Sequence, residues 1–344
     1  MNKRKLLSKA LVVTSVFVAS TMMASAAEMV GAGSSFFFPM VSKWAESYKA
    51  KTGNNLNYQS IGSGAGIKQI NAKTVDFGAS DDPVKAEDLE KLGQVQFPAI
   101  IGGVVPVVNI EGVKPGELKL TGELLGKIFA GHILSWDDKR IVALNPKVKI
   151  PHTVITIVTR SDGSGTTAVF TNYLSKVSEG FRDEVGAGKT VNWTASSNIG
   201  GKGNEGVAAN VQRVANSIGY VEWAYAKKNN LSHVLVQNAS GSFPLPGDEA
   251  FAAAAASTDW SKFPGMGTFI TNASGKDAWP IAGAVFVVIY KNPSDKAKAG
   301  EVIKFFDWAF QDGKTMAKDL DYAPMPDATT SYIKSNVWSQ VNVK

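Results

Sequence analysis

The chain has 344 residues, 44% of them hydrophobic and 19% charged, a composition that excludes a wholly disordered or collagen-like protein and leaves room for more than one domain. It contains no cysteine, which excludes a disulfide scaffold, a thiol nucleophile, an iron–sulfur or zinc–thiolate site and a lipidated N-terminal cysteine. The formal charge of +6 owes four basic residues to Lys3, Arg4, Lys5 and Lys9; without that segment 32 basic residues face 30 acidic ones, a formal +2 that gives no reason to invoke nucleic acid.

The basic start is followed by an apolar run from Ala10 to Met23 and the small-residue cluster Ala24-Ser25-Ala26-Ala27, the pattern of a secretory signal peptide cleaved after Ala26 or Ala27. The run falls short of the roughly 20 residues that a membrane span needs. Val41, Trp44, Ala45 and Tyr48 then recur at helical spacing and predict a helix ending near Gly53. Asn55 to Ser60 reads as extended, Ile67 and Ile70 as a short helix, and Val75 to Ala79 as a strand. Phe97 to Ile110 is apolar and β-branched, as expected of a long strand or a pair of strands crossing between domains. Thr153 to Thr159 predicts a further strand, followed by helices around Phe170 to Val177 and Val207 to Val214. Near the end, Trp279 to Tyr290 reads as a buried strand, and Val302, Phe305, Phe306 and Ala309 as one face of a helix. Strands alternating with helices predict an α/β fold with parallel sheets.

Three segments place glycine beside hydroxyl residues just ahead of a helical pattern: Gly31-Ala32-Gly33-Ser34-Ser35-Phe36, Ile61-Gly62-Ser63-Gly64-Ala65-Gly66, and Arg160-Ser161-Asp162-Gly163-Ser164-Gly165-Thr166-Thr167. Unpaired N–H groups at a helix start, with hydroxyls beside them, suit an oxyanion. Any one segment alone reads better as a helix cap, through Ser35, Ser63 or Ser164; three together, one beside Arg160, point to a bound anion. Enzyme motifs fare worse. Gly188-Lys189-Thr190 mimics a P-loop ending, but Asp183 stands where that motif needs glycine. No serine occupies a Gly-x-Ser-x-Gly frame, and His132, His152 and His233 are dispersed, so neither a nucleophile elbow nor a metal site is expected. Gly200-Gly201-Lys202-Gly203-Asn204 reads as a phosphate cradle or as a plain turn, and Asp81-Asp82 before Pro83 as a paired acid/base site or a turn start.

The three segments, with Tyr58-Gln59-Ser60, Val75-Asp76-Phe77-Gly78-Ala79-Ser80-Asp81, Gly200 to Asn204, Ile218-Gly219-Tyr220-Val221-Glu222, Asp277-Ala278-Trp279-Pro280 and Phe305-Phe306-Asp307-Trp308, resemble the periplasmic phosphate-binding proteins of bacterial phosphate ABC transporters, the Pst substrate-binding family. The resemblance runs in order through essentially the whole chain beyond residue 27. Two positions depart from it: Ser35 where threonine is frequent, and Thr159 where a second arginine is frequent. The resemblance implies a two-lobed type II periplasmic-binding-protein fold, with residues 27–100 plus 276–344 as one lobe, 103–274 as the other, and two crossover segments between them. It also implies phosphate ligands at Ser35, the Phe36 amide, Ser63, Asp81, Arg160, Ser164, the Gly165 amide and Thr166, with Asp162 behind Arg160. The expected protein is a periplasmic, monomeric phosphate receptor without catalytic activity, cofactor, metal or lipid anchor, whose partners are phosphate and the permease subunits. A sulfate or molybdate binder and an exported phosphohydrolase are the alternatives. Against the first stands Asp81, a carboxylate suited to an anion that carries a proton, as phosphate does near neutral pH and sulfate does not.

Overall fold

Segments rich in β-branched and aromatic residues form strands here where an adjacent helix covers them. The computed structural model describes residues 27–344, so the signal-peptide reading of residues 1–26 lies outside the described residues. Strand β1 (Glu28–Gly33) leads through Ser34 and Ser35 into helix α1 (Phe38–Thr52), then β2 (Asn55–Ser60), α2 (Ser63–Asn71) and β3 (Phe77–Ser80). Helix α1 buries Met40, Val41, Trp44 and Tyr48, and ends where Gly53 turns to φ 80°, a left-handed cap that disfavours residues with a Cβ.

The 16-residue strand β4 (Gln94–Asn109) is buried along almost its whole length. Then come β5 (Thr156–Arg160), α3 (Gly165–Val177), β6 (Asn198–Gly201), α4 (Gly203–Arg213), β7 (Ser217–Glu222), β8 (Ala282–Tyr290) and α5 (Lys296–Ala309). The strand order is β2-β1-β3-β8-β4-β7-β5-β6, with the short strand Ser232–His233 pairing alongside β4.

The parallel arrangement expected from the sequence holds within each half, where β1 pairs with β2 and β3, and β5 with β6 and β7. It fails in the middle, because β4 and β8 run antiparallel to each other and to their outer neighbours. Strand β4 joins the halves: its residues up to Gly103 pair with β8, and from Val104 onward it pairs with β7. Phe97 to Ile110 is therefore one strand that crosses, rather than two.

Two strand starts shift from their expected places. Asp76 turns its carboxylate onto the Val30 amide (2.8 Å), and β3 begins at Phe77. Residues 153–155 give their backbone groups to 134–136, through Trp136 N to Thr153 O and Ile155 N to Leu134 O, so β5 begins only at Thr156. The helix Asp248–Ala255 and the turns through Met266 pack on β4, β8 and Leu89 in the first half: Phe251 fills the space above Gly103, and the Trp260 ring lies 5.9 Å from that of Phe286.

Each half has its own aromatic centre. Phe306 on α5 has the rings of Phe77, Phe97 and Phe305 at 5.4, 5.3 and 5.1 Å. In the second half Phe170 stacks on Tyr220 at 4.3 Å and meets Phe129 at 4.8 Å. Phe306 is completely buried, so Phe306→Ala should cost about 3–5 kcal/mol in urea unfolding, whereas Phe38→Ala, at a partly exposed ring, should cost about 1 kcal/mol or less.

Candidate functional site

The carboxyl ends of β1, β3 and β5 and the first turns of α2, α3 and α4 meet in one crevice, the usual ligand position of an open α/β sheet. Ser35 and Phe36 follow β1, Ser63 opens α2, Asp81 follows β3, and Arg160 ends β5. Ser164 caps α3, whose first residues are Gly165 and Thr166. The structure brings together every site residue singled out in the sequence, and all but Asp162 are buried.

Arg160 is held by a fork. Its Nε donates to Asp162 Oδ1 at 2.8 Å and its Nη2 to Asp162 Oδ2 at 2.5 Å, while Gly203 N donates to the same carboxylate at 3.0 Å. Burial works to raise the Asp162 pKa, but the Arg160 hydrogen bonds and charge, with the Gly203 amide, outweigh it and keep the carboxyl below its ordinary value. Arg160 Nη1 is buried with no hydrogen-bond partner.

Asp81 is the opposite case. Burial pushes its pKa up to about 7, against the Ser34 hydroxyl, the charge of Arg160 and the Thr166 hydroxyl, which all pull it down. Ser34 donates to Oδ1, and Thr166 Oγ1 reaches Oδ2 at 3.4 Å from the other half. The turn at Pro83 is made by Ser80, whose hydroxyl donates to Asp82 O (2.7 Å) and accepts from Asp82 N (3.1 Å), so Asp81 is not its cap.

Every site hydroxyl accepts from a protein N–H. Ser164 Oγ takes Thr167 N at 3.0 Å, Ser63 Oγ takes Asp81 N at 3.4 Å, Ser35 Oγ takes Asn204 N at 3.2 Å, and Thr166 Oγ1 takes Asn204 Nδ2 at 3.2 Å. Of the three expected caps only Ser164 caps its own helix, since the helices after Ser35 and at Ser63 have no side-chain cap; in each case an oxygen that accepts leaves its O–H free to donate. At Gly165 a Cβ would come within 2.6 Å of Asp81 N and Oδ2 and 2.5 Å of Ser63 Oγ, so only glycine fits there.

Sequence reasoning missed the residues that shape the first half's donor loop. Tyr58, Tyr225 and Tyr322 donate to the carbonyls of Ser34 (2.9 Å), Ser35 (2.8 Å) and Phe36 (2.8 Å), three successive carbonyls held by tyrosines from three parts of the chain. It also left Asn204 inside a segment that reads either as a phosphate cradle or as a plain turn. No local pattern marks these long-range partners. Thr159, the position that departs from the family pattern, donates to Asn198 Oδ1 at 2.9 Å.

His132 pairs with Glu184 (2.9 Å), His152 with Asp137 (2.5 Å), and His233 lies against the Trp223 ring; none belongs to the crevice. Across its rim, Lys189 meets Asp82 at 3.0 Å and Gly64 N donates to Gly163 O at 2.8 Å. No helix among the described residues is long and apolar enough to cross a membrane.

The model of the PBP superfamily domain matches residues 19–312. A Haemophilus influenzae protein named phosphate-binding protein PstS is 52% identical over 312 residues, which span 91% of this chain and 93% of that protein. A Pasteurella multocida protein of the same name is 48% identical over 333 residues, spanning 97% and 96%. The crystal structure of a phosphate binding protein from Stenotrophomonas maltophilia shares the two-lobed fold, with a TM-score of 0.68 at 17% identity over 92% of this chain and 99% of that one. With about half its residues identical to those of proteins it matches almost end to end, the chain belongs to the PstS family of phosphate-binding proteins, within the PBP superfamily.

Proposed function

We infer that this protein is a receptor for inorganic phosphate that works outside the cytoplasm and delivers its ligand to the permease subunits of an ABC importer. The observation that carries the reading is Arg160: a guanidinium fixed on two nitrogens by Asp162, with Nη1 buried and unpartnered in a crevice of hydroxyl donors. A charge-assisted bond to a phosphate oxygen satisfies that nitrogen. The names of the PstS relatives support phosphate as the anion.

On this reading the ligands are Ser35, the Phe36 amide, Ser63 and Asp81 from one lobe, and Arg160, Ser164, the Gly165 amide and Thr166 from the other. The lobes are residues 27–100 with 276–344, and 103–274, with the stretch from Asp248 to Met266 leaning on the first. Residues 1–26 act as the export signal, and the chain works as a monomer. It acts by binding and release. The site hydroxyls commit oxygen lone pairs to protein N–H groups, which suits donors and not nucleophiles. Asp81 accepts the proton of a hydrogen phosphate; sulfate offers none near neutral pH, so it would face a buried acceptor without a donor.

Calorimetry on the purified protein should give one phosphate per chain with about micromolar or tighter affinity, roughly −8 kcal/mol or better, no sulfate binding, and no release of phosphate from a generic ester. Turnover of the ester, or equal affinity for sulfate, overturns the reading. Arg160→Lys keeps the charge but loses the fork and should weaken phosphate binding; Arg160→Ala should weaken it by about 100-fold or more. Parental affinity in Arg160→Ala would place the anion elsewhere.

Asp81 makes a second test through pH. Its folded pKa lies above the unfolded value, so its ionisation destabilises the fold as pH rises from about 4 through 7. Asp81→Asn should therefore melt at a higher temperature than the parent at pH 8 without ligand, the gap narrowing at pH 5 and closing near pH 4. Its preference for phosphate over sulfate should also fall. An unchanged preference in a folded variant removes Asp81 from the discrimination.

A further inference from the structure

The direction in which a hydroxyl donates is set by what its oxygen already accepts, and in this crevice one buried amide makes that choice twice. Asn204, in the first turn of α4, is completely buried. Its Nδ2 donates to Ser35 Oγ at 2.9 Å and to Thr166 Oγ1 at 3.2 Å, and its own amide N–H donates to Ser35 Oγ at 3.2 Å. Its Oδ1 accepts from Glu222 N at 2.9 Å. That last bond fixes the amide orientation, because a flipped side chain would set an NH₂ against the Glu222 N–H.

Both acceptor positions of Ser35 Oγ are thereby filled, so the hydroxyl can only donate. Thr166 Oγ1 takes the second Asn204 proton and donates its own to Asp81 Oδ2 at 3.4 Å, a contact longer than an ordinary O–H···O bond and so open to replacement by an anion oxygen. We propose that Asn204 is a specificity-determining positioning residue that locks the Ser35 and Thr166 hydroxyls as donors to an oxyanion, one from each lobe, and so makes donor polarity depend on closure. This rests on the phosphate reading above. It assigns the oxyanion's acceptor oxygens to hydroxyls whose direction a second residue dictates, leaving Asp81 as the acceptor for the ligand's proton. A carboxylate at position 204 would invert that polarity: it keeps the shape and still accepts from Glu222 N, but draws the Ser35 and Thr166 protons away from the ligand.

The test compares phosphate titrations of the parent, Asn204→Asp and Asn204→Ala at pH 8 and pH 5.5, with melting temperatures recorded. Asn204→Asp should bind phosphate about 100-fold more weakly than the parent at pH 8, and its deficit should shrink at pH 5.5 as the new buried carboxyl takes up a proton and regains a donor. Asn204→Ala should lose about tenfold, with a deficit that does not depend on pH. In a Ser35→Ala background, the loss caused by Asn204→Ala should diminish, because the two act through one hydrogen bond. Phosphate affinity within about threefold of the parent in either folded variant overturns the proposal. So does an Asn204→Asp deficit that equals that of Asn204→Ala at both pH values, or strictly additive losses in the Ser35 pair. If Asn204→Asp does not fold, Asn204→Ala and its cycle with Ser35→Ala decide alone. A parent that binds no phosphate refutes the functional reading itself, a result distinguishable from all of these.

Discussion

Two carboxylates share one buried guanidinium, and the difference between them organises the crevice. Burying an unpaired arginine costs several kcal/mol, and Asp162 offsets that cost with two hydrogen bonds to Arg160. Those bonds hold Asp162 ionised. Asp81 sits in the same cleft without such a fork, and burial raises its pKa to about 7. Where environments push two like groups apart, they take different roles. Asp162 is held ionised as the counter-ion, whereas burial pushes Asp81 toward its neutral form.

Around this asymmetry the fold supplies donors rather than charges. Strand ends and helix starts converge from both halves of the sheet, so hydroxyls reach the crevice with little chain devoted to them. The tyrosines do the complementary work. By binding the carbonyls of Ser34, Ser35 and Phe36, Tyr58, Tyr225 and Tyr322 keep three acceptor dipoles engaged, and a carbonyl turned onto an anion would repel it. One of these tyrosines, Tyr225, comes from the half of the structure opposite the loop it holds, as Asn204 does.

Local patterns carried much of this in the sequence. The apolar spacing of Val41 to Tyr48 and the glycine at 53 predicted α1 and its end, and Gly-Ser clusters before helical spacing marked Ser35, Ser63 and Ser164. Arg160 and Asp162 stand two residues apart, so a fork between them was open to inference. What could not be read locally depends on distant partners. The antiparallel pairing of β4 with β8 joins residues about 190 apart in the chain, Gln94 to Tyr290 at one end. Asn204 looks like any residue opening a helix until Ser35, 169 positions away, is placed beside it. The true start of β5 was hidden because residues 134–136 compete for the same backbone groups, a contest that alternation of side chains does not reveal.

The contacts that hold the lobes together are individually weak, and that weakness has a consequence. The Lys189–Asp82 pair is partly exposed and is worth about 1 kcal/mol or less. Gly64 N to Gly163 O, Asn204 to Ser35 and Thr166 to Asp81 each add a net contribution of about 1 kcal/mol. A Cβ on Gly64 would press on the Gly163 backbone at 3.2 Å, so a side chain there would push these loops slightly apart. With contacts this weak, closure of the two halves would be an equilibrium that a ligand could tip rather than a fixed state. Moving such an equilibrium from 1:99 to 99:1 takes about 5.5 kcal/mol, and a ligand bound at micromolar affinity supplies about 8. On the proposed ligand set, an anion that touched Arg160, Ser164 and Thr166 on one side of the crevice and Ser35, Ser63 and Asp81 on the other would bind the closed form preferentially, and so would set the shape of the whole molecule. Strong latches would remove that dependence on the ligand, because the closed form would then persist whether or not the anion bridged the lobes.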